Sequence, residues 1–186
     1  MLSDGLALAT ALAAAGDLHD RNDRLKEAEE AYLEALPIYR AEGHRRGEAA
    51  MGKALGALYA RTDRLDAAEE AYCEALPIAV GAHDLAGQAA LERALGDLYV
   101  RADRLDEASH AYERARPSAH GTLDLGAEAA ILKALADLYA RREQWDLADA
   151  SLREALPIYR KRGDRPGEAN AQRELGDILL KLDRLD

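Results

Sequence analysis

The apolar positions of this chain follow a helical rhythm that restarts every 40 residues. Ala54, Leu55, Leu58 and Tyr59 recur at i, i+1, i+4 and i+5, which is one face of a helix. Thr62-Asp63-Arg64 breaks the rhythm, and Leu65, Ala68, Tyr72, Ala75 and Leu76 then mark a second apolar face. Forty residues to either side the pattern returns: Arg24-Leu25-Lys26-Glu27-Ala28-Glu29-Glu30-Ala31-Tyr32 precedes, and Arg104-Leu105-Asp106-Glu107-Ala108-Ser109-His110-Ala111-Tyr112 follows. Prolines keep the same period at Pro37, Pro77, Pro117 and Pro157. A period of this length predicts stacked supersecondary units, each burying its apolar face against its neighbours.

The predicted fold is all-α, a solenoid of antiparallel helix pairs forming a single domain over 1–186, with about nine helices in four and a half repeats. Residues 1–43 form a degenerate first repeat, 44–83, 84–123 and 124–163 form full repeats, and 164–186 is a terminal half repeat or cap. In the first repeat Met1–Arg21 is one helix, with Ala15 and His19 at signature positions and Leu6, Leu8 and Leu12 out of pattern. Asp84 reads as an N-cap whose short side chain accepts a free N–H of the first turn, and its counterparts are Asp4, His44, Asp124 and Asp164. Pro166 falls just inside a helix start, where proline is tolerated. Asp66 with Glu69 resembles a capping box, and the acids Glu29-Glu30 and Glu69-Glu70 suit a helix N-terminal dipole. Each proline lies about eleven residues into its helix, which predicts a kink, although an end at the preceding residue is the competing reading.

These residues resemble the tetratricopeptide repeat. Leu55-Gly56-x-x-Tyr59, then Ala68-x-x-x-Tyr72 and Ala75, match its signature, as do Leu95-Gly96-x-x-Tyr99 with Ala108-x-x-x-Tyr112, and Leu135-Ala136-x-x-Tyr139 with Ala148. The resemblance implies a right-handed superhelix. It also implies close helix crossings at Gly16, Gly56, Gly96 and Gly176. The period departs from the usual 34 or so and resembles a longer-helix subgroup found in bacterial regulators and scaffolds. The signature tryptophan place holds Gly52, Glu92, Leu132 and Gln172, whereas Trp145 stands in the place of Leu65 and Leu105, a core position.

Composition narrows the function. A net charge of −10 argues against a general binder of nucleic acid or anionic membrane. The single cysteine, Cys73, excludes an intrachain disulfide and has Leu33, Glu113 and Arg153 as counterparts, so it reads as incidental. No run of about 18 apolar residues exists, and Met1-Leu2-Ser3-Asp4 lacks the basic start of a signal peptide, so a cytoplasmic location is expected. The excess of arginine over lysine, with abundant alanine, hints at a bacterial, high-GC source.

No catalytic constellation is present: no phosphate loop, no nucleophile elbow, no metal-binding His-Glu-x-x-His. His19, His44, His83, His110 and His120 share neither a repeat position nor a ligand spacing. The expectation is a non-enzymatic protein with no metal and no cofactor. One charged pattern does recur, at i, i+4 and i+8 of each first helix: Lys53-Ala57-Arg61, Arg93-Asp97-Arg101, Lys133-Asp137-Arg141 and Arg173-Asp177-Lys181. Such rows are also what a solvated helix face carries. The family resemblance puts that face along a concave groove, with Ala50, Ala54, Ala90, Ala94, Ala130 and Ala134 leaving its floor open. It implies a protein or peptide partner, expected to bear acidic residues, and a chaperone-type hold on a C-terminal carboxylate is excluded because Asp97, Asp137 and Asp177 stand in the asparagine place.

The second expectation is self-assembly through the terminal helices, as a dimer or as a head-to-tail stack. The segment near Arg165–Lys181 is leucine-rich, and the sequence ends at Arg184-Leu185-Asp186, where a further second helix should begin. The apolar end reads as a cut array or an assembly surface, with a two-fold homodimer expected through Leu175, Ile178, Leu179 and Leu182, and Leu180 turned toward the groove.

Overall fold

A computed structural model describes residues 3–182. Among them nine α-helices follow one another: α1 Asp4–Arg21, α2 Leu25–Ala41, α3 Arg45–Arg61, α4 Leu65–Gly81, α5 Leu85–Arg101, α6 Leu105–Gly121, α7 Leu125–Arg141, α8 Trp145–Arg162 and α9 Arg165–Leu182. The segment Arg184-Leu185-Asp186 lies outside the described residues. Consecutive helices pack against each other, and α5 also touches both α3 and α7, whereas no pair of even-numbered helices packs comparably. The odd helices therefore form the inner row of a right-handed superhelical solenoid, and the even helices its outer row.

Helix starts divide into two kinds. The inner helices are capped by side chains: His44 accepts from the Gly47 N–H at 3.0 Å, Asp84 from Gly87 at 3.0 Å, Asp124 from Gly126 at 2.8 Å and Asp164 from Gly167 at 3.0 Å. In the first unit the cap is Ser3, accepting from Leu6 at 3.1 Å; Asp4 is already helical, one residue too far along to cap. The outer helices start at Arg24, Arg64, Arg104 and Gln144 with no side-chain cap. The expected capping box is absent, because Asp66 is the second residue of α4 and Glu69 is engaged by the next unit.

The turns are made by residues at positive φ: Asp23, Asp63, Asp103 and Glu143 within units, and Gly43, His83, Leu123 and Gly163 between them. At Asp63 the reversal lets the Arg64 N–H reach back to the Tyr59 carbonyl at 2.9 Å, closing the end of α3. Pro37, Pro77, Pro117 and Pro157 all lie inside continuous helices, so the helices pass through them and do not end before them.

The core is built on the outer helices' small residues. Ala28, Ala68, Ala108 and Ala148 are fully buried, and Tyr32, Tyr72, Tyr112 and Leu152 fill the space between the two helices of each unit. A Cβ at Gly16, Gly56 or Gly96 would meet the facing tyrosine ring at 2.5 Å in each case, so these crossings require glycine. Gly176 is different: among the described residues nothing lies within 4 Å of its would-be Cβ. Trp145 is half-buried against the same core, as its register predicts.

Candidate interaction surface

The rows of charge fall on the inner helices, but the structure sorts them by partner. Arg61, Arg101 and Arg141 reach back to the unit before. Arg61 pairs with Asp20 and, at 2.9 Å, with Asp23. Arg101 pairs with Asp63 at 3.2 Å and donates to the Ala60 carbonyl at 2.6 Å, and Arg141 pairs with Asp103 at 3.2 Å. Each arginine thus closes the C-terminal end of the preceding inner helix, where a cation also suits the dipole. Lys181 has Glu143 in the equivalent place and instead lies over the Trp145 ring, 6.0 Å from its centre.

The other basic row pairs within its own helix. Arg93 bonds Asp97 at 2.8 Å, Lys133 bonds Asp137, and Arg173 approaches Asp177 at 3.5 Å. Lys133 also meets Glu174 of α9 at 3.1 Å. Lys53 has alanine four residues on, at Ala57, and no ion-pair partner among the described residues. Asp97 carries a second bond: the Tyr112 hydroxyl donates to it at 2.7 Å. Tyr32 and Asp17 make the same contact at 2.8 Å. The tyrosine signature and the acidic row, separated by 15 residues in the sequence, are one constellation in the fold.

Between α3 and α5 these groups surround an open cleft of about 400 Å³. Its walls carry Lys53, Arg61, Arg93 and Arg101 against a single lining carboxylate, Asp97, and its floor is alanine and Tyr72. Between α7 and α9 the equivalent cleft is smaller, about 160 Å³, and has Trp145, Leu152 and Ile178 on its floor, with Asp137, Glu174, Asp177 and Lys181 at the rim. The lining therefore changes along the stack, from mostly cationic at α3–α5 to an apolar floor rimmed by three carboxylates and one lysine at α7–α9.

On α9 the leucines divide between two faces. Leu175 and Ile178 are 9% and 5% exposed and pack into the chain's own core, with Leu182 half-buried beside them. Spaced three and four residues apart, they form the face that meets α8, so a homodimer centred on them has no surface to use. Leu179 and Leu180 are the exposed pair.

Sequence reasoning missed two further features. Arg64 stacks on the Tyr59 ring at 4.2 Å and grips Glu29 with both guanidinium ends, at 3.0 and 2.7 Å. Arg104 likewise lies over the Tyr99 ring at 4.4 Å, but it bonds Glu69 through one guanidinium nitrogen at 2.6 Å and gives its Nε to Glu107 at 3.0 Å. Arg64 holds the Glu29 carboxyl below its usual range against the opposing effect of burial. The constancy of arginine and tyrosine at those repeat positions was the available signal. The second feature is Glu92, 4% exposed in the outer wall of α5, whose carboxyl burial pushes upward. No group of three or more His, Cys, Asp or Glu among the described residues is placed to hold a metal, and no helix among them is long and apolar enough to cross a membrane.

Three solved structures illustrate the likeness. The apo form of RapI aligns with a TM-score of 0.86 at 15% identity over 96% of this chain and 50% of that one. Aspartyl phosphate phosphatase F from Bacillus subtilis aligns at 0.85 and 11% identity, over 92% and 45%. A Podospora anserina kinesin light chain with nearly identical TPR-like repeats aligns at 0.77 and 18% identity, over 98% and 90%. The chain thus spans about half the length of the first two, and at these identities the likeness concerns the fold alone. No curated protein matches the sequence. Tetratricopeptide repeat family profiles match residues 9–41, 46–119 and 127–186. With its signature tyrosines and glycines in contact and its helix pairs stacked in register, the chain belongs to the tetratricopeptide repeat family.

Proposed function

We propose that this chain is a non-enzymatic interaction module that binds a segment of another protein along its inner face, and that the segment is acidic where it crosses the α3–α5 cleft. The observation that carries the reading is the lining of that cleft, in which Arg61, Arg93 and Arg101 are paired within the chain and Lys53 has no ion-pair partner among the described residues, in a chain whose net charge is −10. A local basic strip on an acidic protein attracts an acidic segment while repelling misplaced acids elsewhere. Asp97, Asp137 and Asp177 set where such a segment is refused. The alanine floor lets an extended or helical backbone come close.

The test uses a labelled twelve-residue glutamate-rich peptide and a serine-rich peptide of equal length, read by fluorescence anisotropy. The acidic peptide binds the wild type, binding weakens with salt, and Lys53→Glu with Arg93→Glu abolishes it. Equal binding of both peptides, or no effect of the reversals, overturns the reading.

A second reading rests on Leu179 and Leu180, 43% and 60% exposed and adjacent on α9. They offer a small apolar contact to a second copy of the chain. Mass measurement across concentration, with Leu179→Glu and Leu180→Glu as the monomeric reference, separates a homodimer from a monomer.

A further inference from the structure

Two of the three signature tyrosines of the outer helices are answered by a carboxylate, and one is not. Tyr32 donates to Asp17 at 2.8 Å and Tyr112 to Asp97 at 2.7 Å. Tyr72 has the same placement: a Cβ at Gly56 would lie 2.5 and 2.6 Å from its ring carbons Cε1 and Cδ1, and the values at Gly96 beneath Tyr112 are also 2.5 and 2.6 Å. The residue following the glycine is aspartate in units one and three, and Ala57 in unit two. The Tyr72 hydroxyl therefore stands where its counterparts find an acceptor, and it has no hydrogen-bond partner among the described residues. Burial pushes its phenol up to about 12, so it is a donor at neutral pH.

The same vacancy leaves Lys53 alone. Arg93, Lys133 and Arg173 each have an aspartate four residues on, and Lys53 has Ala57. Tyr72, Lys53 and Ala57 thus line the same 400 Å³ cleft, where the charged groups that act on the Tyr72 hydroxyl from α5 are Asp97, Arg93 and Arg101. The geometry points to the space over Ala57 as a seat for one side-chain carboxylate, from an aspartate or glutamate of a bound protein segment. That carboxylate accepts from Tyr72 and pairs with Lys53, as Asp97 does with Tyr112 and Arg93 inside the chain. The inner helices after it supply their own aspartates, so the seat fixes one acidic residue of the partner and sets its register. This rests on the groove reading above and adds the anchoring point.

The chain itself supplies a test that needs no partner. Ala57→Asp restores the pattern of units one and three, whereas Ala57→Asn fills the same volume without the charge. The aspartate variant melts higher than the asparagine variant at low salt, and the gap narrows in about 1 M salt, where such pairs are screened. Adding Tyr72→Phe removes part of the gap. An asparagine variant as stable as the aspartate variant overturns the seat. In the peptide assay, Ala57→Asp weakens the glutamate-rich peptide by about tenfold, the loss of one charge-assisted contact. If Ala57→Asp binds it as well as wild type while the Lys53 and Arg93 reversals release it, the seat is wrong and the groove reading stands. If the wild type does not bind it at all, both fall.

Discussion

Arg104 holds the carboxylate of Glu69 at 2.6 Å, and its guanidinium lies over the Tyr99 ring, so one side chain ties the start of α6 to α4 of the preceding unit. In a solenoid, stability is the sum of units and the interfaces between them, and this contact belongs to an interface. Arg104→Gln therefore lowers the thermal midpoint. So does Glu69→Gln, and the double variant loses less than the sum of the two. Arg24→Gln, at the equivalent place in the first unit, leaves the midpoint unchanged. Equal effects of Arg24→Gln and Arg104→Gln contradict the interface role.

Tyr72 and Tyr112 separate packing from hydrogen bonding. Both are nearly fully buried, and truncation of Tyr72 to alanine destabilises by about 3–5 kcal/mol, as for other large aromatics. Removal of the hydroxyl alone distinguishes them. Tyr112→Phe loses the bond to Asp97 and costs about 1 kcal/mol, whereas Tyr72→Phe loses no internal bond and is close to neutral. Denaturant titration of the two phenylalanine variants measures the difference, and equal costs would show that Tyr72 is bonded after all.

Gly56 and Gly176 occupy the same repeat position with opposite consequences. Gly56→Ala drives a methyl into the Tyr72 ring and destabilises by about 1–3 kcal/mol. Gly176→Ala meets nothing within 4 Å among the described residues and gains helix propensity, about 0.5–1 kcal/mol. Thermal melts of the two variants should move in opposite directions.

Leu123 carries φ 57° where Gly43 and Gly163 carry 66° and 67°. A leucine in that region is strained, and its side chain is 82% exposed, so it gains little packing in return. Leu123→Gly stabilises by about 1 kcal/mol, less any gain in unfolded-chain freedom. A lowered denaturation midpoint refutes this account of the turn.

Glu92 makes stability depend on pH. Burial raises its carboxyl, Arg114 at 3.6 Å and Gln88 only partly oppose that, and one oxygen has no hydrogen-bond partner among the described residues. The folded state therefore holds this proton more tightly than the unfolded chain, whose glutamate titrates near about 4.3. Stability contributed by the protonated group is present below that value and is lost as pH rises through the folded-state pKa. Glu92→Gln cannot ionise, so relative to wild type it gains stability as pH rises from about 4 to 7. Urea midpoints of both proteins across that range report it, and a constant difference would show that Glu92 stays charged and adequately paired.

Much of this molecule was legible from the apolar period alone. The 40-residue restart placed all nine described helices, the buried alanines and the tyrosines between paired helices. It worked because each unit buries the same face against the same kind of neighbour, so local periodicity and tertiary packing carry the same information. Gly176 shows the limit of that logic, because the sequence position recurs but the facing ring does not.

The charged rows were visible in the sequence, but their meaning was decided by stacking. Arg61, Arg101 and Arg141 look equivalent to Lys53, Arg93 and Lys133 along the helix, yet the first three are drawn to carboxylates 38 residues back, across a unit boundary. Likewise Leu175, Ile178, Leu179 and Leu182 read as one apolar group until α8 took up one side of α9. Sequence by itself determined which face of every helix is apolar, because burial follows the 3.6-residue turn. Only the tertiary structure decided which polar groups are already satisfied, because hydrogen bonds act over about 3 Å and their partners lie in different units. That distinction singles out Tyr72 and Lys53: alanine at 57 where units one and three carry aspartate is visible in the sequence, and only the fold shows that both residues line the cleft beside it.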